Sequence, residues 1–211
     1  NKINSSKKIF VFDFDGVIAD TNKLKMNTFL ECIDGDNNKK NFYIFNLKNI
    51  NLESEKKFFY FYKEILKNKN YEILSNKKNI LYNKILLKKI QNIKINPNIS
   101  NYLKLLKRRN KKMFIVSSAS SEFVKKFLIK KKINNFFHKI LTKPKSKKEN
   151  FNTLFKLFNK NLSVYFGDTY SDYSICKSIN LDFILVKKYS IDKKAINLSS
   201  NTRVLSINNF K

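Results

Sequence analysis

Ile9-Phe10-Val11-Phe12 is an unbroken apolar run that ends on Asp13-Phe14-Asp15-Gly16-Val17, and few folds can accommodate that junction. Consecutive apolar residues with no polar alternation read as a strand buried on both faces, as inside a parallel sheet. The two carboxylates cannot simply continue into a core, because a buried unpaired charge is strongly unfavourable. They fit at the carboxyl end of the strand, where open α/β sheets bind ligands. There a cation and a phosphate would make them useful. The plain alternative is a turn carrying two solvated aspartates.

Composition bounds the rest. At 211 residues, with 42% hydrophobic content and 20 phenylalanines, the chain can hold one α/β domain plus an insertion. No apolar run approaches the ~20 residues of a membrane span. The opening Asn-Lys-Ile-Asn-Ser-Ser-Lys-Lys leads into the strand and does not read as a signal peptide. Cys32 and Cys176 are too few for a disulfide framework or a zinc site, so a reducing cytoplasm is the expected setting. Only Gly16, Gly35 and Gly167 are glycines, and two of these adjoin acidic residues where apolar runs end.

The net charge of +28 invites a nucleic-acid reading. The lysines are spread along the whole chain, however, and Lys, Asn, Ile, Phe and Tyr are in excess while Gly, Pro and Ala are scarce. That is the bias of an A+T-rich genome. Zinc-finger spacing and RNA-binding aromatic signatures are missing. No dedicated nucleic-acid site and no membrane partner are expected, a monomer is favoured, and the positive field would suit phosphorylated substrates on either reading.

Beyond residue 21 the strand character stops. Helical spacing covers residues 23–33, 54–66 and 80–93, the second with a broad face of Phe58, Phe59, Phe61, Tyr62, Ile65 and Leu66. After Pro97, helices and strands alternate: helix 98–109, strand 113–116, helix 122–132, strand 139–142, helix to about 158, strand 164–166, helix 173–179, strand 183–186 and an edge strand at 203–207. Ser146 and Glu149 have capping-box spacing, and so do Thr169 and Asp172. This order predicts an α/β core with a Rossmann-like parallel sheet, formed by residues 1–20 and 97–211, and an inserted α-helical cap at residues 21–96.

Each polar loop that follows a predicted strand, or opens the next helix, carries a residue type that a single reaction could use. They are Asp13 and Asp15, then Ser117 and Ser118, then Lys147, then Gly167, Asp168 and Asp172. In a parallel sheet the strand ends share one edge. The order and spacing resemble the motifs of the haloacid dehalogenase superfamily. The Asp-Gly-Val-Ile-x-Asp-Thr opening with a helical insertion is similar to its phosphoglycolate phosphatase and β-phosphoglucomutase branch.

That resemblance implies Mg²⁺ as cofactor, with Asp13, Asp15 (through its backbone carbonyl), Asp168 and Asp172 as metal residues. It implies Asp13 as the nucleophile that forms an aspartyl-phosphate, and Asp15 as general acid and then base. Ser117, Ser118 and a lysine would hold the phosphoryl oxygens. Members with Lys-Pro in this region select Lys143. Members with proline followed by Ser/Thr-Lys at a helix start select Lys147, which the short span from Phe137 to Pro144 favours. Ser117 and Asp172 also have bland readings, as a helix-entry serine and a first-turn acid. Asn22, Lys23, Lys25 and Asn27 are candidates for leaving-group contacts. His138 is the sole histidine, which excludes Ser-His-Asp and multi-histidine chemistry.

The resemblance implies a Mg²⁺-dependent phosphatase whose partner is a small phosphorylated metabolite, a sugar phosphate or phosphoglycolate-like monoester. A phosphosugar mutase of the same chemistry and a catalytically idle polyanion-binding protein are the alternatives.

Overall fold

The computed structural model describes residues 6–201, 204–208 and 210, the side chains of 199–201 excepted. Two compact units emerge: residues 1–22 with 93–211, and residues 23–92.

The first unit is built on strand β1 (Ile9–Phe12), whose four residues are all buried. The chain leaves it through helix α1 (Asn22–Glu31). The second unit continues with α2 (Asp36–Lys48), α3 (Ser54–Tyr60, extended by a π-helical turn over Phe61–Ile65) and α4 (Tyr71–Lys88). Aromatic rings form its core. Phe29 stacks on Tyr82 at 4.1 Å between centroids, and Phe42 lies 4.8 Å from Phe61 and 5.7 Å from Phe58.

On return to the first unit come α5 (Ile99–Arg108), β2 (Lys112–Val116), α6 (Ser121–Lys130), β3 (Lys139–Leu141), α7 (Lys147–Phe155) and β4 (Ser163–Gly167). They are followed by α8 (Tyr170–Ser178), β5 (Asp182–Val186), α9 (Lys193–Asn201) and β6 (Leu205–Ile207). The six strands pair in parallel in the order β3-β2-β1-β4-β5-β6. This is the Rossmann-like α/β architecture expected from the alternation of elements.

Strand order reverses at β1, which has β2 on one side and β4 on the other. Such a switch opens a crevice at the strand carboxyl ends. On one sheet face Phe12 stacks on Phe166 at 4.9 Å, and Tyr102 packs edge-on against both rings. These large apolar contacts hold β1 and β4 in register with Phe12 opposite Phe166, and so place the residues just beyond each strand side by side.

Three local expectations differ from what is observed. Helix α2 is absent from the periodicity reading because its first turns are polar and only Phe42 and Asn46 are buried. Helix α4 starts at Tyr71, nine positions before the expected 80; the intervening residues are mostly polar and only Ser75 among them is buried, so they give no apolar periodicity. Helix α9 lacks a broad apolar stripe and also escaped notice. Of the predicted edge strand at 203–207, Leu205–Ile207 is a strand and Arg203 lies outside the described residues.

Candidate active site

Asp13 is the first residue past β1, and its backbone N–H still donates to the Phe166 carbonyl at 2.8 Å, extending the ladder to β4. Its Oδ1 accepts the Phe14 N–H at 2.6 Å, and its Oδ2 accepts from Lys147 Nζ at 2.6 Å. The same ammonium donates to Asp172 Oδ1, also at 2.6 Å. Asp168 follows β4 directly. Asp13, Asp168 and Asp172 are each at most 3% exposed, and one oxygen from each falls within a 4.8 Å cluster. The topology therefore gathers residues from sequence positions 13, 147, 168 and 172 into one buried site.

Local chemistry places Lys147. Ser146 caps α7 by accepting the Glu149 N–H, while Glu149 reaches back to the Ser146 N–H, the capping box its sequence predicts. Lys147 is thus the first helical residue, where the helix dipole disfavours a cation. Two carboxylates offset that penalty. Their charge outweighs burial and holds the ammonium well above the ordinary lysine range. Asn150, buried one turn on, donates to the Thr142 and Lys145 carbonyls and pins the loop before the helix.

Asp172 closes a second capping box with Thr169, so α8 starts at Tyr170, three residues before the expected 173. Its Oδ2 accepts from the Thr169 N–H and hydroxyl, and its Oδ1 from Lys147. Beneath it the buried Tyr165 hydroxyl lies 3.2 Å from both Asp172 Oδ1 and the Val116 carbonyl. The same carboxylate therefore caps α8 and holds Lys147.

The remaining sequence candidates border this centre. Asp15 is partly buried, and its Oδ1 accepts from Thr21 Oγ1 at 2.5 Å. Ser117 is buried just past β2, two residues beyond the Phe12–Ile115 pair as Phe14 is. Its Oγ accepts the Ala119 N–H at 3.2 Å, bending the chain. Ser118 is exposed at that bend. Lys143 lies in the turn between β3 and α7, its N–H donating to the Ala119 carbonyl.

Charge in this centre is unbalanced. Burial is the largest influence on Asp13 and, with Asp172 and Asp15, pushes its carboxyl up to about 7 against the pull of Lys147. Burial and the neighbouring carboxylates likewise hold Asp168 well above the usual range. One lysine does not neutralise three clustered carboxylates, so a hard dication is the natural complement. The donor set fits Mg²⁺, being all oxygen, buried and compact. Gly16 fits as well: at φ +70° its backbone approaches so closely that a Cβ would stand 2.1 Å from Asp168 Oδ2. Only glycine leaves that carboxylate its place.

Residues that sequence reasoning passed over also shape the site. Ser190 Oγ donates to the Asp168 carbonyl at 2.5 Å, and Asp192 accepts the Tyr170 N–H at 2.8 Å. Asp192 also accepts from Lys194 and Ala195 at the start of α9. The capping preference of aspartate before Lys193-Lys194-Ala195 was the one available signal.

Comparison with known proteins places the fold. The family model of haloacid dehalogenase-like hydrolases matches residues 10–186. A search of curated proteins finds no match. Among solved structures, the chain resembles a protein assigned as a phosphoglycolate phosphatase from Lactobacillus plantarum (12% identity, TM-score 0.73, covering 97% of this chain and 96% of that one). It also resembles β-phosphoglucomutase from Clostridium difficile (19%, 0.71, 96% and 91%). A third similar structure is a Bacillus subtilis protein bound to magnesium (16%, 0.68, 97% and 95%). At these identities the structures speak to fold. The family match spans most of the sequence, and the chain belongs to the haloacid dehalogenase-like hydrolases.

Proposed function

We propose that this hydrolase is a Mg²⁺-dependent phosphatase of a small phosphorylated metabolite, acting through an aspartyl-phosphate on Asp13. The observation that carries the reading is the convergence of Asp13, Asp168, Asp172 and Lys147. A phosphate monoester is a dianion, so an anionic nucleophile needs its surroundings to cancel charge and fix geometry.

In this reading Asp13 attacks phosphorus with one carboxylate oxygen, and the leaving oxygen takes the proton of Asp15. Asp15 then removes a proton from the water that cleaves the acyl-phosphate. Thr21, bonded to Asp15, sets the orientation from which that carboxylate turns toward the leaving group. Lys147 offers its ammonium to a phosphoryl oxygen while Asp172 keeps it aimed. Ser117 and the N–H groups after β1 and β2 supply further donors. Asp13, Asp168 and the Asp15 carbonyl would hold Mg²⁺, which when bound supplies charge neutralisation at the phosphoryl group. Asp172, already engaged by Lys147 and Thr169, supports it through water or by giving up a bond.

The test is a phosphate-release screen across a panel of phosphorylated metabolites, with and without Mg²⁺. Release that depends on Mg²⁺ supports the reading, and none with any substrate sinks it. β-Glucose 1-phosphate with a bisphosphate activator separates the mutase alternative, which returns an isomer and no free phosphate.

Stability should report the same charge imbalance. Asp13, with its carboxyl raised to about 7 in the folded chain, binds its proton more tightly there than unfolded. Ionising it then disfavours the fold, so metal-free stability falls as pH rises from about 4 to about 7. Mg²⁺ needs the ionised carboxylates and should stabilise the chain more at pH 8 than at pH 5. Thermal unfolding at both pH values, with EDTA and with excess Mg²⁺, checks this. Equal Mg²⁺ shifts at the two would contradict it.

A further inference from the structure

We propose that Asn22 is a positioning residue for Asp168, setting the affinity of the site for its divalent cation from the point where the chain leaves the α/β unit. The inference rests on the metal-assisted reading above and adds a residue to it.

Asn22 is the first residue of α1, among the polar residues expected to reach a leaving group. Its side chain reaches Asp168. The two amide hydrogens are both used: Nδ2 donates to Asp168 Oδ2 at 2.7 Å and to the Tyr189 carbonyl at 2.8 Å. Turning the amide over would present its oxygen to two acceptors, so this orientation is held by both ends at once. Gly16 walls the other side, since a Cβ there would stand 2.1 Å from Asp168 Oδ2 and 2.7 Å from Asn22 Nδ2. The backbone of Asp168 is held separately by Ser190.

Asp168 is therefore seated by three segments: the loop after β1, the start of α1 and the loop after β5. The Asn22 bond works on the side of the carboxylate, opposing burial and the repulsion of Asp13 and Asp172. It engages Oδ2 and does not use Oδ1. Removing an outer partner of a metal-binding carboxylate typically weakens metal affinity by roughly 10–100-fold.

The experiment is calorimetric titration of the metal-free full chain with MgCl₂, native against Asn22→Ala. The expected Mg²⁺ dissociation constant of the variant is about 10–100-fold higher. The Mg²⁺ concentration for half-maximal p-nitrophenyl phosphate hydrolysis should rise by a similar factor, with kcat restored at saturating Mg²⁺. Native affinity in a folded variant overturns the assignment. So does a kcat deficit that saturating Mg²⁺ leaves in place, because that would put Asn22 on the substrate. Should Asn22→Ala fail to fold, Asn22→Ser in the same titration gives the same decision. A native chain that takes up no Mg²⁺ brings down the metal-assisted reading along with this one, which distinguishes the two failures.

Discussion

Asp13→Asn is expected to reduce p-nitrophenyl phosphate turnover by at least about 10³-fold, the scale seen when a covalent nucleophile is removed. An amide oxygen is a poor nucleophile toward phosphorus, and the substitution also deletes a charge from the carboxylate cluster. The fold should survive. The Phe14 N–H bond to Oδ1 can be kept by the amide oxygen, and relief of carboxylate crowding offsets the lost ion pair with Lys147. The measurement is steady-state hydrolysis beside a thermal unfolding curve. Native turnover in a folded Asp13→Asn chain would remove the nucleophile assignment, and with it the aspartyl-phosphate route.

The second large effect is expected at Lys147. Its ammonium lies between Asp13 and Asp172, 2.6 Å from each, and in the proposed mechanism it meets a phosphoryl oxygen. Lys147→Ala leaves two buried carboxylates without their cation and, in the proposed mechanism, removes a donor aimed at developing charge. Loss of one such preorganised donor lowers kcat by roughly 10²–10³-fold. Lys143→Ala, in the turn before α7, should have a much smaller effect. Parallel kinetics on the two variants decide the matter: a larger loss at Lys143 would move the phosphate-binding role to that residue. Because Lys147→Ala also leaves carboxylates unbalanced, its activity is best compared at saturating Mg²⁺, where the cation restores part of the charge.

Much of this site could be read along the chain, because its parts announce themselves locally. The apolar run ending on Asp13, the Ser146–Glu149 pair and the Thr169–Asp172 pair depend on neighbours within a few residues, and each forms as its spacing suggests. Where helices lack a broad apolar stripe, as in α2 and α9, local pattern fails because packing rather than periodicity supports them. The choice between Lys143 and Lys147 was likewise open, since either lies within reach of the same loop in sequence. Which ammonium meets Asp13 depends on the angle at which α7 starts, and the Asn150 bonds to Thr142 and Lys145 help set it.

The linear pattern by itself determined the strand that carries Asp13, the alternation that makes the sheet parallel, and the residue types its strand-end loops carry. Tertiary structure alone decided how that chemistry is held. Asn22 meets Asp168 across 146 positions and Lys147 meets Asp13 across 134, distances over which no periodicity carries information. Those pairings follow from strand order, which brings β1 and β4 together around a stacked Phe12 and Phe166. Apolar packing of the sheet thus brings the carboxylates close, and the polar partners around them make that proximity tolerable.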